Sequence, residues 1–129
     1  MLIQKYWDAA CIAAGISGIS AEILYCQWYH ETAGFSSELC TKYNNLAGVT
    51  QVDPNDLPQP DGNFYYMKFG SLDNWARYFG KFIQLFNGAQ SAQTIDAYAA
   101  ALKSEGYFGD TLDNYIAGMQ AAWQDTFGS

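Results

Sequence analysis

Apolar positions recur along the chain at helical spacing in five long stretches, separated by glycine, proline and asparagine breaks. Residues 2–14 (LIQKYWDAACIAA) predict an amphipathic first helix ended by Gly15, and GISGIS a tight connection. A central helix is expected over roughly 21–33, followed by one helical turn at SSELC. LAGVT then reads as a β-like run, residues 53–63 as a loop holding all three prolines, and FYYMKF as the best strand candidate. Ser71 is placed to cap a helix over SLDNWARYFGKFIQLF, closed by Asn87-Gly88. Another helix covers 92–104 up to Gly106, and a last one runs from Asp110 or Thr111 to about Thr126. The pattern predicts one mostly α (α+β) domain over residues 1–129. Its LAGVT and FYYMKF segments would form a small β-hairpin lobe beside the helices.

The stretch from Ser20 to Gly48 organises the rest. Ser20 is a good N-cap, because its hydroxyl can accept from a free N–H of the first turn, where Glu22 suits the helix dipole. Ile23, Leu24, Cys26, Trp28 and Tyr29 make the helix apolar nearly all round, which implies burial, and Gly34 is the natural stop. Glu31 is the exception, on one stripe with Leu24, Gln27 and Trp28. Desolvation and the negative end of the helix dipole both disfavour its ionisation, so its pKa is expected to rise. A carboxyl kept neutral near pH 7 is what a general acid needs. The plainer alternative is a helix-end glutamate that reaches water or pairs with Lys42 or Arg77.

Composition narrows the partners. Ten Tyr, eight Phe and four Trp in 129 residues are more aromatics than one small core can hide, so some are expected on the surface or in a cleft. Such clefts suit sugars and other amphipathic ligands, although a core simply packed with aromatics would read the same way. A net charge of −7 with no Lys/Arg run argues against nucleic acid, and against electrostatic adhesion to an anionic cell wall. No 18-residue apolar span and no basic-fronted signal peptide occurs, so the domain is expected to be soluble, off the membrane and delivered by something else. Cys11, Cys26 and Cys40 are odd in number, so at least one thiol is free. Cys11 and Cys26 fall on apolar helix faces and are expected to be buried. With a single His and no CxxC a zinc site is not expected, and the His30-Glu31 pair lacks the second His of a zinc-protease motif, since position 34 is Gly34. Cys26 and His30 could touch on one helix face, but no orienting group supports a cysteine peptidase. His30 reads as a structural residue or a neighbour of Glu31. No cofactor is implied.

Four ordered motifs then carry a resemblance. They are Glu31-Thr32 at a helix end, Asn44-Asn45-Leu46-Ala47-Gly48-Val49, the aromatic helix FGSLDNWARYFGKFI, and Gly106-Tyr107-Phe108-Gly109-Asp110. Over residues 20–118 their order and spacing resemble the bacterial endo-β-N-acetylglucosaminidases, glycoside hydrolase family 73 of the lysozyme superfamily. The resemblance implies a lysozyme-like helical fold with the β lobe beside a catalytic cleft. It also implies hydrolysis of the β-1,4 bond between N-acetylglucosamine and N-acetylmuramic acid in peptidoglycan, with Glu31 as proton donor. The family often has a second Glu in the β lobe, whereas this chain has none between Glu38 and Glu105. Asp61 is the first candidate for that role, because Leu57-Pro58 ahead of it resembles the Leu-Pro that often precedes the family's Glu. Asp61-Gly62 is equally a turn signal. Asp56 comes second, as a catalytic or substrate-binding residue, or else is an ordinary solvated loop aspartate, while Asp53 sets up the turn at Pro54. Tyr107 matches a cleft-lining tyrosine, or else is a core aromatic. Asn44 and Asn45 match substrate-side loop residues, or else close the loop through side-chain hydrogen bonds. Asp110 is most simply the N-cap of the last helix, and Trp28 and Trp75 are expected in the core. A lytic transglycosylase on the same fold needs only one Glu and is the nearest rival; a non-catalytic wall-binding or tail-structural module is another. The partner would be peptidoglycan glycan strands, met by a monomer or a module of a larger lysin such as a phage endolysin, a tail-associated lysin or an autolysin.

Overall fold

A computed structural model describes residues 1–51, 57–58 and 65–128. The described chain is mostly helical, with α1 (Gln4–Ser17), α2 (Ala21–Glu31), α3 (Glu38–Tyr43), α4 (Leu72–Phe82), α5 (Ile95–Ser104) and α6 (Leu112–Phe127). Four of the caps are side-chain hydroxyls accepting from the N–H three residues on: Ser20, Ser37, Ser71 and Thr94. Thr111 does the same for α6. Asp110, expected as that cap, sits one residue too early. Its carboxylate instead accepts from the Thr111 N–H and the Asn114 amide.

The first helix does not stop at Gly15 but runs to Ser17. Gly15 stays helical, and the chain leaves the helix at Gly18, whose φ of +82° is the left-handed conformation that glycine adopts without steric cost. Cys11 is exposed on this helix, contrary to expectation, whereas Cys26 and Cys40 are buried; all three are free thiols. The helix presents Tyr6, Ala9, Ala10 and Ala13 inward, and Cys11 lies off that stripe.

The middle of the molecule is α2. Every residue from Ile23 to Trp28 is buried, which requires neighbours on all sides; α1 and α6 supply two of them. Trp28 meets Trp75 and Phe79 of α4 edge-on, with ring centroids 5.7 and 5.4 Å apart. Both tryptophans are fully buried, as their sequence setting implies. The large exposed apolar side chains among the described residues are Met1, Ile3 and Leu85, none of them aromatic.

Helix α4 gives way at Phe82 to a 3-10 turn, Ile83–Leu85, rather than continuing as α-helix to Phe86. Extended pairing among the described residues is confined to three two-residue strands, β1 (Thr50–Gln51), β2 (Leu57–Pro58) and β3 (Tyr65–Tyr66). They pair antiparallel in the order β1-β3-β2, with Thr50 opposite Tyr66. Among the described residues of FYYMKF, Tyr65 and Tyr66 are strand, and Leu46–Val49 is not. The connecting residues 52–56 and 59–64, on which the expected hairpin lobe depends, lie outside the described residues.

Close approach of α1 and α4 is made possible by Gly80. A Cβ there would lie 2.9 Å from Ile16 Cβ and 3.1 Å from the Ala13 carbonyl oxygen. Gly80→Ala is therefore expected to push the helices apart and destabilise the fold by about 1–3 kcal/mol, despite alanine's better helix propensity. Urea unfolding would measure it, and a stabilised variant would show that the two helices do not bear on each other here.

Candidate active site

Glu31 is the last helical residue of α2, and Thr32 ends the helix. The Thr32 hydroxyl donates to Trp28 O at 2.8 Å and accepts from Phe35 N at 2.7 Å, which pins the departing chain. Ala33, Gly34 and Phe35 then adopt left-handed φ values of +51°, +73° and +64°. Three such residues in succession turn the chain sharply, and for Ala33 and Phe35 the conformation is uncommon and strained. Phe35 is held there by stacking on Tyr6, 4.1 Å between centroids. The next turn of helix is thus removed from beyond Glu31, and its carboxyl reaches a cleft.

That cleft comprises two hollows that both include Glu31, Ala47 and Gly48. One, of about 290 Å³, continues to Phe82, Phe86 and Tyr107; the other, of about 300 Å³, to Ser37, Leu39 and Tyr66. A larger hollow of about 460 Å³ lies elsewhere, at Trp123, Gln120 and Asp96, where Asp96 stands exposed to water. The desolvated carboxyl belongs to the first two.

Glu31 Oε2 accepts from two phenols, Tyr107 at 3.1 Å and Tyr115 at 3.2 Å. Behind them the buried Gln27 amide donates to the Tyr115 oxygen at 3.2 Å and accepts from Tyr98 at 2.6 Å. Burial raises the Glu31 pKa from an ordinary 4.5 to about 8, while the hydrogen bonds to Tyr107, Tyr115 and Gln27 pull the other way without overcoming it. The pairing with Lys42 or Arg77 weighed from the sequence is not made; Lys42 bonds Glu38 instead, at 3.2 Å. The phenols stay neutral, since burial first and the nearby Glu31 second push Tyr107 and Tyr115 well above the usual phenol range. The arrangement can therefore hold a proton on a cleft-side carboxyl at neutral pH and deliver it to a bound oxygen.

The remaining sequence candidates divide. Tyr107 lines the cleft and bonds Glu31, packed by Phe86 at 5.0 Å. Asn45 closes the loop: its Nδ2 donates to Val49 O and Met67 O, and its Oδ1 accepts from the Ala47 and Val49 N–H groups. All its polar valences are used in closing the loop, on the wall of the second hollow. Asn44 holds a left-handed φ of +54° as the α3 C-cap and donates to Phe69 O, which is likewise loop closure. Asp53, Asp56 and Asp61 lie outside the described residues.

His30 turns its ring edge onto Tyr115, 5.0 Å between centroids, against Gly118, where any Cβ would collide with the imidazole. Burial lowers its pKa, with Asp110 opposing, which suits a neutral packing residue. Burial pushes the Cys26 thiol up to about 12, which removes the nucleophile a cysteine peptidase would need. Tyr98 and Tyr115 were not foreseen. Their one signal in the sequence was Gln27, a buried amide on Glu31's own stripe that had to find partners.

The family model described as Glucosaminidase, mannosyl-glycoprotein endo-beta-N-acetylglucosaminidase, matches residues 7–126. No curated protein matches the chain in sequence. Among solved structures, a peptidoglycan hydrolase from Sphingomonas sp. A1 is similar with a TM-score of 0.72 at 19% identity, over 92% of this chain and 86% of that one. The glycoside hydrolase domain of Salmonella typhimurium FlgJ gives 0.69 at 17% identity, over 95% and 84%. The catalytic domain of the Listeria monocytogenes autolysin Auto gives 0.66 at 15% identity, over 95% and 82%. At these identities the likeness is one of fold.

The raised Glu31 pKa has a stability signature. Below pH 4.5 the group is neutral folded and unfolded alike, so it costs nothing; between 4.5 and about 8 only the unfolded chain ionises, and stability drains away. Glu31→Gln keeps the shape without that loss. It is expected to match wild type at pH 4 and exceed it by on the order of 2–4 kcal/mol at pH 8. Denaturant titrations at the two pH values would read this, and equal stabilities at both would mean that Glu31 ionises freely in the folded protein.

Proposed function

Because the chain belongs to the glucosaminidase family, glycoside hydrolase family 73, we propose that this single domain is a peptidoglycan hydrolase that cuts N-acetylglucosaminyl-β-1,4-N-acetylmuramyl bonds, with Glu31 as general acid. The chain is a glycoside hydrolase. The observation that carries the finer reading is a carboxyl that burial keeps protonated to about pH 8 on the wall of an aromatic-edged cleft. The fold likeness to peptidoglycan hydrolases supports the choice of substrate.

A glycosidic bond breaks slowly because an alkoxide is a poor leaving group. Protonation of the departing oxygen as the C–O bond lengthens is worth about 10²–10⁴-fold, or roughly 3–5 kcal/mol of barrier. In this reading the Glu31 proton passes to that oxygen and the sugar develops oxocarbenium character. A water then adds to the anomeric carbon and gives up its proton to a carboxylate. Asp61 is assigned to steady the positive charge or position the water, with Asp56 as the alternative. The sugar face of the cleft is given to Tyr107. The β lobe is taken as the wall opposite Glu31, and the domain is taken to work at the cell wall. Among the described residues no helix is long and apolar enough to cross a membrane.

A second reading rests on one observation: among the described residues, Glu31 is the one carboxylate on the two hollows. A lytic transglycosylase requires no more, because a hydroxyl of the sugar itself closes the ring.

Mass spectrometry of purified peptidoglycan digested by wild type and Glu31→Gln decides between them. Reducing N-acetylglucosamine ends that vanish with the variant are expected. Anhydro-muramyl ends would establish the transglycosylase, and unchanged cleavage by the variant would sink Glu31's role. Wild-type cleavage is expected to fall as pH rises through about 8 and the acid loses its proton. Asp61→Asn is expected to slow turnover about 10–10³-fold; a larger loss from Asp56→Asn would transfer the assignment.

A further inference from the structure

We infer that Gln27 is a positioning residue that aims the acidic proton of Glu31 into the cleft, by fixing the donor direction of a buried Tyr98–Gln27–Tyr115–Glu31 chain. The inference rests on the reading of Glu31 as general acid.

The direction of the chain follows from counting donors. Tyr98 is completely buried, and its hydroxyl donates to Gln27 Oε1 at 2.6 Å. That fixes the amide with Nε2 toward Tyr115, whose oxygen accepts from it at 3.2 Å. The Tyr115 O–H is then free only to donate onward, to Glu31 Oε2 at 3.2 Å. Tyr107 donates to the same oxygen at 3.1 Å. An oxygen receiving two donors acts as the carbonyl-type oxygen of a neutral carboxyl, so the acid proton resides on Oε1. Glu31 opens onto both hollows of the cleft.

The opposite amide orientation shows what Gln27 prevents. With Nε2 toward Tyr98, that hydroxyl proton would be buried without an acceptor, which buried polar groups avoid. Tyr115 would turn its O–H to Gln27 Oε1 and present its oxygen to Glu31, drawing the acid proton onto Oε2 and away from the substrate. One amide thus decides which carboxyl oxygen is the acid. Gln27 is 0% exposed and four residues before Glu31 on the same helix, so the amide and the acid are set on one rigid element. The titratable groups around the relay, among the described residues, are Tyr98 of α5, Tyr107 between α5 and α6, and Tyr115 of α6. His30 of α2 lies against Tyr115, and Asp110 lies near His30.

The test is the pH dependence of kcat and KM on solubilised peptidoglycan strands for Q27M, Y98F, Y115F and Q27M/Y115F, with E31Q alongside. Q27M is expected to lower kcat about 10–100-fold with little change in KM, since positioning acts on the chemical step. It should also move the high-pH limb upward by roughly 0.5–1 unit, because a donor that favours the carboxylate is no longer held in place. Mere loosening of the core would admit water and move that limb down. Y98F keeps the shape of the site and should act in the same direction more weakly; it decides the matter if Q27M does not fold. Q27M should add little in the Y115F background. An unmoved limb in both Q27M and Y98F, or an undiminished cost of Q27M on top of Y115F, would overturn the inference. Cleavage by E31Q at the wild-type rate would instead overturn the general-acid reading on which it stands; an inactive E31Q with an unmoved limb would overturn the Gln27 inference alone.

Discussion

The structure depends on keeping one carboxyl out of water while leaving it at the edge of a cleft. Burial alone could not do both, because a residue within the packed run Ile23–Trp28 has neighbours on every side. Glu31 meets the two demands by being the last residue of α2, with the core behind it and the chain turned away in front. The left-handed run Ala33–Phe35 makes that turn, and the Thr32 hydroxyl and the Tyr6–Phe35 stack hold it. Strain at such a turn persists only where the surroundings over-determine it, and two hydrogen bonds and a ring stack supply that constraint.

The aromatic richness of the chain finds its use here. A carboxyl that must stay protonated needs partners that satisfy its oxygens without carrying positive charge, since a lysine or arginine beside it would pull the pKa down. Buried phenols do this: they donate hydrogen bonds and remain neutral across the useful pH range. Tyr107 and Tyr115 stand at Glu31, with Tyr98 one bond further back. The nearest candidate cation in the sequence, Lys42, is engaged with Glu38 at the surface. The cost is stability at neutral pH, a trade between folding and chemistry of the kind that concentrates at active sites.

Three solved structures that resemble this chain do so at 15–19% identity with TM-scores of 0.66–0.72. Shared architecture at that distance requires similar burial patterns more than similar residues. A helix buried on all faces, braced by α1 and α6 and closed by the aromatics of α4, tolerates many side chains so long as volume and polarity are kept. The chemistry is less tolerant, because it depends on single atoms such as Glu31 Oε2.

Local rules were legible in the sequence. The helices, the caps Ser20, Ser71 and Thr111, the buried tryptophans and the unusual setting of Glu31 all follow from 3.6-residue periodicity and side-chain chemistry within one or two turns. Errors of one or a few residues arose where two local signals competed, as between Gly15 and Gly18, or Asp110 and Thr111. Which residue of each pair leaves the helix depends on packing. The site's inner half was not legible. Tyr98 lies 71 residues from Gln27 and Tyr115 lies 84 from Glu31, and no periodicity links such positions; Tyr107, 76 residues from Glu31, was reached only through the family resemblance. Asn45 was ambiguous for the same reason: an amide that closes a loop and one that grips a ligand look alike until its partners are known. The sequence by itself determined the helices and the one carboxyl that had to be desolvated. Only the tertiary structure decided which phenols and which amide surround that carboxyl, because hydrogen-bond partners are chosen by proximity in space, and the packing of α6 against both α2 and α5 creates it.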